Sequence, residues 1–120
     1  MQNGLEVYVV DDNKDAADSL RDLIQYLGHT AASYYCGETA LQAARTASPL
    51  CVFLDVHMAG MNGLELAKSL RNEFGDDIVL VAISGGPEDD ATVAKTFETV
   101  DHYYLKPVAL EEIKIILGHR

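Results

Sequence analysis

The stretch Cys51–Asp55 (CVFLD) constrains the fold of this chain more than any other. A run without polar interruption that ends in a carboxylate is typical of a strand covered on both faces, as in the middle of a parallel sheet. Such a strand carries Asp55 to the C-terminal edge of the sheet. A second apolar run, Val7–Val10, ends in the same way at Asp11 and Asp12. We therefore expect these carboxylates to meet above a parallel sheet.

Strand-like and helix-like segments alternate along the whole chain. The predicted strands are residues 5–10, 30–35, 51–55, 78–83 and 101–105, and the predicted helices are residues 13–27, 38–47, 63–74, 87–99 and 109–117. Five strand-helix units joined by right-handed crossovers predict an α/β fold with a doubly wound, flavodoxin-like parallel sheet of strand order 2-1-3-4-5. The length of 120 residues suits one compact domain, which we assign to residues 1–120.

Composition argues against several classes of function. The chain has 19 acidic and 9 basic residues, for a net charge of -10, which disfavours nucleic acid or an anionic membrane as a direct partner. No apolar run approaches the roughly 20 residues that span a bilayer, and the N-terminus lacks the pattern of a signal peptide. Cys36 and Cys51 are too few for a disulfide framework. We expect a soluble, cytoplasmic protein.

The ends of the predicted strands place complementary groups together. In the predicted strand order, Ser84 ends the strand beside that of Asp55, and the longer Lys106 ends a strand two spacings of roughly 4.8 Å away. Carboxylates about 4 Å apart repel by on the order of 4 kcal/mol per pair at an effective dielectric of about 20, so Asp11, Asp12 and Asp55 need a cation. Oxygen-only ligands favour Mg²⁺. A metal ion, a lysine and a hydroxyl around a nucleophilic carboxylate are what phosphoryl transfer requires.

With these residues in place, nearly the whole chain resembles the receiver domain of two-component response regulators. The matching motifs are the acid pair Asp11-Asp12, the strand and loop from Leu54 through Asp55 to Gly63, the hydroxyl Ser84, and Lys106-Pro107. The resemblance implies that Asp55 accepts a phosphoryl group and binds Mg²⁺. It also implies that Asp12 binds the metal directly, that Asp11 binds it mainly through water, and that the His57 backbone carbonyl completes the protein ligands.

The resemblance also implies a switch and its partners. Ser84 and Tyr103 match the family's switch positions, and the Lys106-Pro107 bond is expected to be cis. The implied function is to take a phosphoryl group from a histidine kinase or a histidine phosphotransfer protein and to hydrolyse it slowly, without a turnover substrate. An output partner or a second copy is expected on the face of the fourth helix, fifth strand and fifth helix. The segments 101–103 and 106–108 look like those of receivers from hybrid histidine kinases, so a stand-alone and an excised receiver are both open.

Two positions depart from the family pattern. Ala59 stands where the family usually has proline, and Thr99 stands where it often has glycine. Neither position supplies a side chain to the metal or the phosphate. The departures concern the rigidity of the loop after Asp55 and the end of the fourth helix.

Other interpretations compete with this one. An interaction module of the same fold could signal without phosphate. Phosphatases and mutases that use an aspartyl phosphate typically carry a second aspartate where this chain has His57, and flavin binding would need a phosphate-cradling loop where Asp11 and Asp12 repel phosphate. Taken singly, the acid pair could cap a helix, Ser84 could open a turn, and Lys106 could be an ordinary surface lysine. Packing alone would also explain Tyr103, with Tyr104 on the opposite face of its strand.

Overall fold

A computed structural model of the chain describes residues 6–58, 60–85, 95 and 98–118. The strands are β1 (Glu6–Val10), β2 (Thr30–Tyr34), β3 (Cys51–Asp55), β4 (Val79–Ser84) and β5 (His102–Leu105). The α-helices within the described residues are α1 (Lys14–Tyr26), α2 (Gly37–Ala47), α3 (Gly63–Phe74) and the C-terminal helix (Leu110–Leu117). A 3₁₀ turn, Gly75–Asp77, precedes β4. None of the helices in this part of the chain has the length and apolar content to cross a bilayer.

The strands form one parallel sheet in the order β2-β1-β3-β4-β5. This confirms the predicted doubly wound topology. Val10 at the end of β1 lies opposite Leu54 of β3, and Asp55 lies opposite Ile83 of β4. Because all the strands run in the same direction, the residues at their ends share one edge of the sheet. That edge carries the predicted site.

Helices cover both faces of the sheet. One face packs against α1 and the C-terminal helix through Ala17, Ile24, Ile113 and Leu117. The other packs against α2 and α3 through Ala40, Leu41, Ala44, Leu66, Ala67 and Leu70. All the residues of β3 are buried between these layers, and a fully buried side chain such as Phe53 contributes roughly 1.5–3 kcal/mol. The central position of β3 explains its lack of polar interruption.

Two asparagines start helices at the site edge. The Asn13 side chain accepts the Ala16 N–H at 3.1 Å and caps α1. The Asn62 side chain accepts the Glu65 N–H at 2.9 Å, while the Glu65 carboxylate accepts the Asn62 N–H at 3.0 Å. These caps satisfy N–H groups that have no partner inside the helix. They set the points at which the chain turns from the site into α1 and α3.

Further details concern individual helices. Ala47 and Leu110 continue the apolar spacing of their helices but are exposed, and each is the terminal residue of its helix. Gly28, directly after the residue that caps α1, has a φ of 100°, which is in the left-handed region that glycine favours at the end of a helix. The predicted helix 87–99 lies outside the described residues except for residues 95, 98 and 99.

Candidate functional site

Three acidic side chains come together at the C-terminal edge of the sheet. Asp11 follows β1, and Asp55 is the last residue of β3. Asp11, Asp12 and Asp55 each place one carboxylate oxygen within 4.8 Å of the others. Asp11 and Asp55 are 6% and 7% exposed, whereas Asp12 is exposed to solvent. The arrangement is an oxygen-only cluster that could hold a hard divalent cation.

Lys106 brings a positive charge to the cluster. Its Nζ lies 2.8 Å from Asp11 Oδ2 and 3.5 Å from Asp55 Oδ2. Its backbone N–H donates to the Ser84 carbonyl at 2.8 Å, which ties the ends of β4 and β5 together. The Lys106-Pro107 bond is cis, as predicted. The lysine therefore reaches from the edge strand of the sheet to the two buried carboxylates.

Burial and the neighbouring charged groups change the pKa of two site residues. Burial and the charge of Asp11 raise the pKa of Asp55 to about 6, although Lys106 and the hydrogen bond from the His57 N–H act in the opposite direction. Partial burial disfavours the charge of Lys106, but the hydrogen bond to Asp11 and the nearby carboxylates outweigh it and raise the Lys106 pKa. A buried carboxyl with a raised pKa beside a specific charge partner is typical of a functional site.

The loop after β3 is packed against the backbone of Asp55. The Gly63 N–H donates to the Val56 carbonyl at 3.0 Å, and the Val56 N–H donates to the Ile83 carbonyl at 3.0 Å. A Cβ at position 63 would collide with the Asp55 carbonyl oxygen and lie 2.7 Å from the Val56 Cα. Only glycine allows α3 to begin this close to Asp55.

The predicted switch residues occupy neighbouring strands. Ser84 is completely buried at the end of β4. Tyr103 is half-buried on β5 and packs against the core on the α2 and α3 face, which includes Val56 beside the site. Tyr104 packs on the opposite face, as the strand alternation predicts. His57 is exposed. The structure thus brings Asp11, Asp12, Asp55 and Lys106 into one cluster, and it places Ser84 at the end of the strand next to Asp55.

Comparison with known proteins identifies the family. Residues 7–117 match the sequence profile of the response regulator receiver domain. The chain belongs to this family. The receiver domain is 30% identical over 116 residues to the sensory transduction protein LytT of Oceanobacillus iheyensis, covering 95% of this chain and 47% of that protein. It is 32% identical over 109 residues to the response regulator MprA of Mycobacterium ulcerans, covering 91% of this chain and 47% of that protein.

A solved structure agrees with the family assignment. A CheY-like response regulator receiver domain from Methylobacillus flagellatus matches with a TM-score of 0.84 and 29% identity, covering 96% of this chain and 97% of that chain. The chain spans about half the length of the curated relatives it matches, since 47% of each is covered. The comparison therefore concerns the receiver domain, and it assigns none of the activities of the longer relatives to this chain.

Two residues that support the site are not among those predicted from the sequence of this receiver domain. The Asn13 N–H donates to Asp11 Oδ1 at 2.9 Å while its side chain caps α1, so one residue orients the carboxylate and starts the helix. An asparagine directly before a helical stripe is the signal for such a role. Gly63 is predicted only as the start of α3. The signal there is a glycine at a helical position that most other residues would favour.

Proposed function

We propose that Asp55 of this receiver domain accepts a phosphoryl group, with Mg²⁺ held by the carboxylates of Asp11, Asp12 and Asp55 and by the His57 carbonyl. One observation carries the proposal. The Asp55 carboxylate ends the central strand within 4.8 Å of two other acidic side chains and 3.5 Å from the Lys106 ammonium. The donor set fits Mg²⁺, because all the available ligand atoms are oxygens and the exposed side of the cluster leaves room for water and a phosphate oxygen.

The residues have distinct roles in the proposed transfer. An Asp55 oxygen forms the new O–P bond as the P–N bond of a donor phosphohistidine breaks, and the imidazole nitrogen keeps the bonding electron pair. When bound, Mg²⁺ supplies positive charge for the oxygens of the transferring group. Lys106 supplies a second positive charge, and the Ser84 hydroxyl supplies a hydrogen-bond donor. Attack of water on phosphorus later breaks the P–O bond to Asp55, releases inorganic phosphate and restores the carboxylate. The domain modifies itself and has no turnover substrate.

The donor in this proposal is a histidine kinase or a histidine phosphotransfer protein. Membership of the receiver family supports this assignment. The net charge of -10 supports a protein donor over nucleic acid as the direct partner.

The cysteines support a cytoplasmic location in this proposal. Cys36 and Cys51 are both free thiols, which suits the reducing cytoplasm.

We place output binding or dimerisation on the face built from β5 and the C-terminal helix. Leu105 is 54% exposed and Ile115 is 67% exposed, and a large apolar side chain left in solvent is a potential contact for a partner. The predicted helix 87–99 would form the remaining part of this face, but most of it lies outside the described residues.

Labelling by acetyl phosphate tests the proposed acceptor. The wild-type chain should gain one phosphoryl group in the presence of Mg²⁺ and none when the metal is removed with a chelator. Asp55→Asn should abolish the labelling, because an amide cannot attack phosphorus. Asp76→Asn, a change at an exposed acid of the turn before β4, is the matched control and should label normally. Intact mass spectrometry measures the result. Undiminished labelling of Asp55→Asn would place the acceptor elsewhere, and no labelling of the wild type would favour a phosphate-independent interaction module.

A further inference from the structure

A cavity of about 280 Å³ opens beside the carboxylates on the α1 side of the sheet. It lies between α1 and the segment that follows β5. Its apolar walls include Leu20 and Leu23 of α1, Phe53 and Ile83 of the sheet, and Val108. Asp11, Asp55 and Lys106 border the same space. The proposed phosphoryl transfer uses the ends of the strands and leaves the apolar part of this cavity unused.

The walls of the cavity favour an apolar occupant. Leu20 and Leu23 belong to the apolar stripe of α1 but are only half-buried, as is Val108 across the gap. Apolar surface that remains wet in a concave site is available to drive the binding of an apolar group. A cavity of about 150 Å³ can hold benzene, so the 280 Å³ here is enough for an aromatic ring with a short chain.

The charged residues that border the cavity favour a positively charged group at the other end of the occupant. Two buried carboxylates, Asp11 and Asp55, border the cavity, whereas Lys106 supplies one ammonium group, 2.8 Å from Asp11 and 3.5 Å from Asp55. The carboxylates at this border outnumber the ammonium group, and a second cation would be attracted more strongly than an anion or a neutral group. We propose that the cavity binds a small arylalkyl amine, with its ring among Leu20, Leu23 and Val108 and its ammonium group at the carboxylates.

Binding of such an amine is a property of the unphosphorylated, metal-free chain. Its regulatory consequence alone rests on the proposed function. An ammonium group at Asp11 and Asp55 would occupy the carboxylates assigned to Mg²⁺, so amine and metal would exclude each other. The amine would then reduce phosphorylation by competing with the metal.

The first test compares ligands of similar size and different charge. Phenethylamine is titrated into the metal-free wild-type chain, with phenethyl alcohol and phenylpropionate as the neutral and anionic counterparts, and methyl NMR follows Leu20, Leu23 and Val108. We expect saturable shifts of these methyl groups with the amine and at least tenfold weaker binding of both counterparts. Equal binding of the three ligands, or shifts without saturation, would overturn the proposal.

The second test fills the cavity. Ala16 lines it from α1, so Ala16→Leu should weaken phenethylamine binding about tenfold or more. Ala47→Leu, which enlarges an exposed alanine of α2, should leave binding unchanged. Circular dichroism checks that both variants are folded. If Ala16→Leu does not fold, the comparison of the three ligands on the wild-type chain tests the proposal. Wild-type affinity in folded Ala16→Leu would contradict the cavity assignment. Mg²⁺ should weaken amine binding, and failure of that competition alone would overturn the regulatory consequence while leaving the cavity site intact.

Discussion

The surroundings of Asp55 disfavour the charged form of its carboxylate. Burial and the charge of Asp11 raise its pKa to about 6 in the folded chain, compared with about 3.9 for an unperturbed aspartate. Between these two values the folded state binds a proton that the unfolded state has released. The free energy of unfolding therefore falls as the pH rises from about 4 to about 6, because stability decreases with pH where the native state binds more protons.

The substitution Asp55→Asn removes that charge. In the metal-free chain, Asp55→Asn should increase the free energy of unfolding at about pH 7 by on the order of 2 kcal/mol, and the gain should disappear near pH 4. Urea unfolding across this pH range measures it. Asp76→Asn, at an exposed position, should show no such pH-dependent gain. A gain of the same size at about pH 4 and pH 7 would show that the charge of Asp55 is not its cause.

Lys106 is expected to matter for transfer more than for folding when a cation is present. Lys106→Ala should remain folded in Mg²⁺, since the metal held as proposed would supply positive charge to the carboxylates, but acetyl phosphate labelling should slow by about a hundredfold. The reason is the loss of the ammonium group 3.5 Å from Asp55 Oδ2. Lys68→Ala, on the exposed face of α3, is the control and should label at the wild-type rate. A wild-type rate in Lys106→Ala would remove this lysine from the proposed mechanism.

At the scale of the element, two helices that begin with glycine offer a matched comparison. At Gly63 an added Cβ would meet the backbone of Asp55 and Val56, which cannot move without disturbing the site. At Gly37 the added Cβ would lie 2.8 Å from the sulfur of Met61, which belongs to a flexible side chain that can turn away. Overpacking against rigid neighbours typically costs about 1–3 kcal/mol. The two glycines should therefore respond differently to the same substitution.

We predict that Gly63→Ala lowers the free energy of unfolding by about 2 kcal/mol or more, while Gly37→Ala changes it by less than about 1 kcal/mol. Urea unfolding gives both values. Gly63→Ala should also reduce acetyl phosphate labelling, because the displaced loop carries the His57 carbonyl and the backbone next to Asp55. Equal effects of the two variants would mean that the close approach of α3 to β3 does not constrain position 63.

Element boundaries show what local sequence can and cannot determine. The bounds of α3 are those predicted, since a capping asparagine precedes its apolar stripe and the glycine-led turn Gly75–Asp77 follows it. The start of β5 is predicted at Asp101, but the strand begins one residue later. The Asp101 side chain accepts the Leu80 N–H and a hydrogen bond from Arg71, each at 2.8 Å. These distant partners cannot be read from the segment itself.

At the scale of the whole molecule, the site could be predicted because the strand order determines which residues at the ends of the strands are neighbours. Once β1 and β3 are neighbours in a parallel sheet, Asp11 and Asp55 must share its C-terminal edge. The pairing of Lys106 with Asp11 at 2.8 Å depends on side-chain conformations that the topology does not determine. The cavity depends on the gap between α1 and the segment after β5. Packing of separate elements sets that gap, and periodicity in one helix does not reveal it.

A signal from Asp55 to the face built from β5 and the C-terminal helix would have to pass through the packed core between them. Ser84 is completely buried at the end of β4, and Tyr103 on the adjacent strand packs against the core that includes Val56. Closely packed interiors favour two discrete arrangements over gradual deformation. We expect a phosphoryl oxygen on Asp55 to draw the Ser84 hydroxyl toward it and the Tyr103 ring to turn further inward. The face that carries Ile115 would then change shape.

NMR with and without Mg²⁺ and beryllofluoride, a mimic of the phosphoryl group, tests this coupling. Chemical shifts should change at Ser84, Tyr103 and Ile115, while the ring of Tyr104 should change least, because it packs on the opposite face of the same strand. In Ser84→Ala the changes at Tyr103 and Ile115 should be lost even though beryllofluoride still binds at Asp55. Persistence of these shifts in that variant, or shifts confined to the loops around the carboxylates, would contradict the coupling. The site would then bind phosphate without reporting it to the face of β5 and the C-terminal helix.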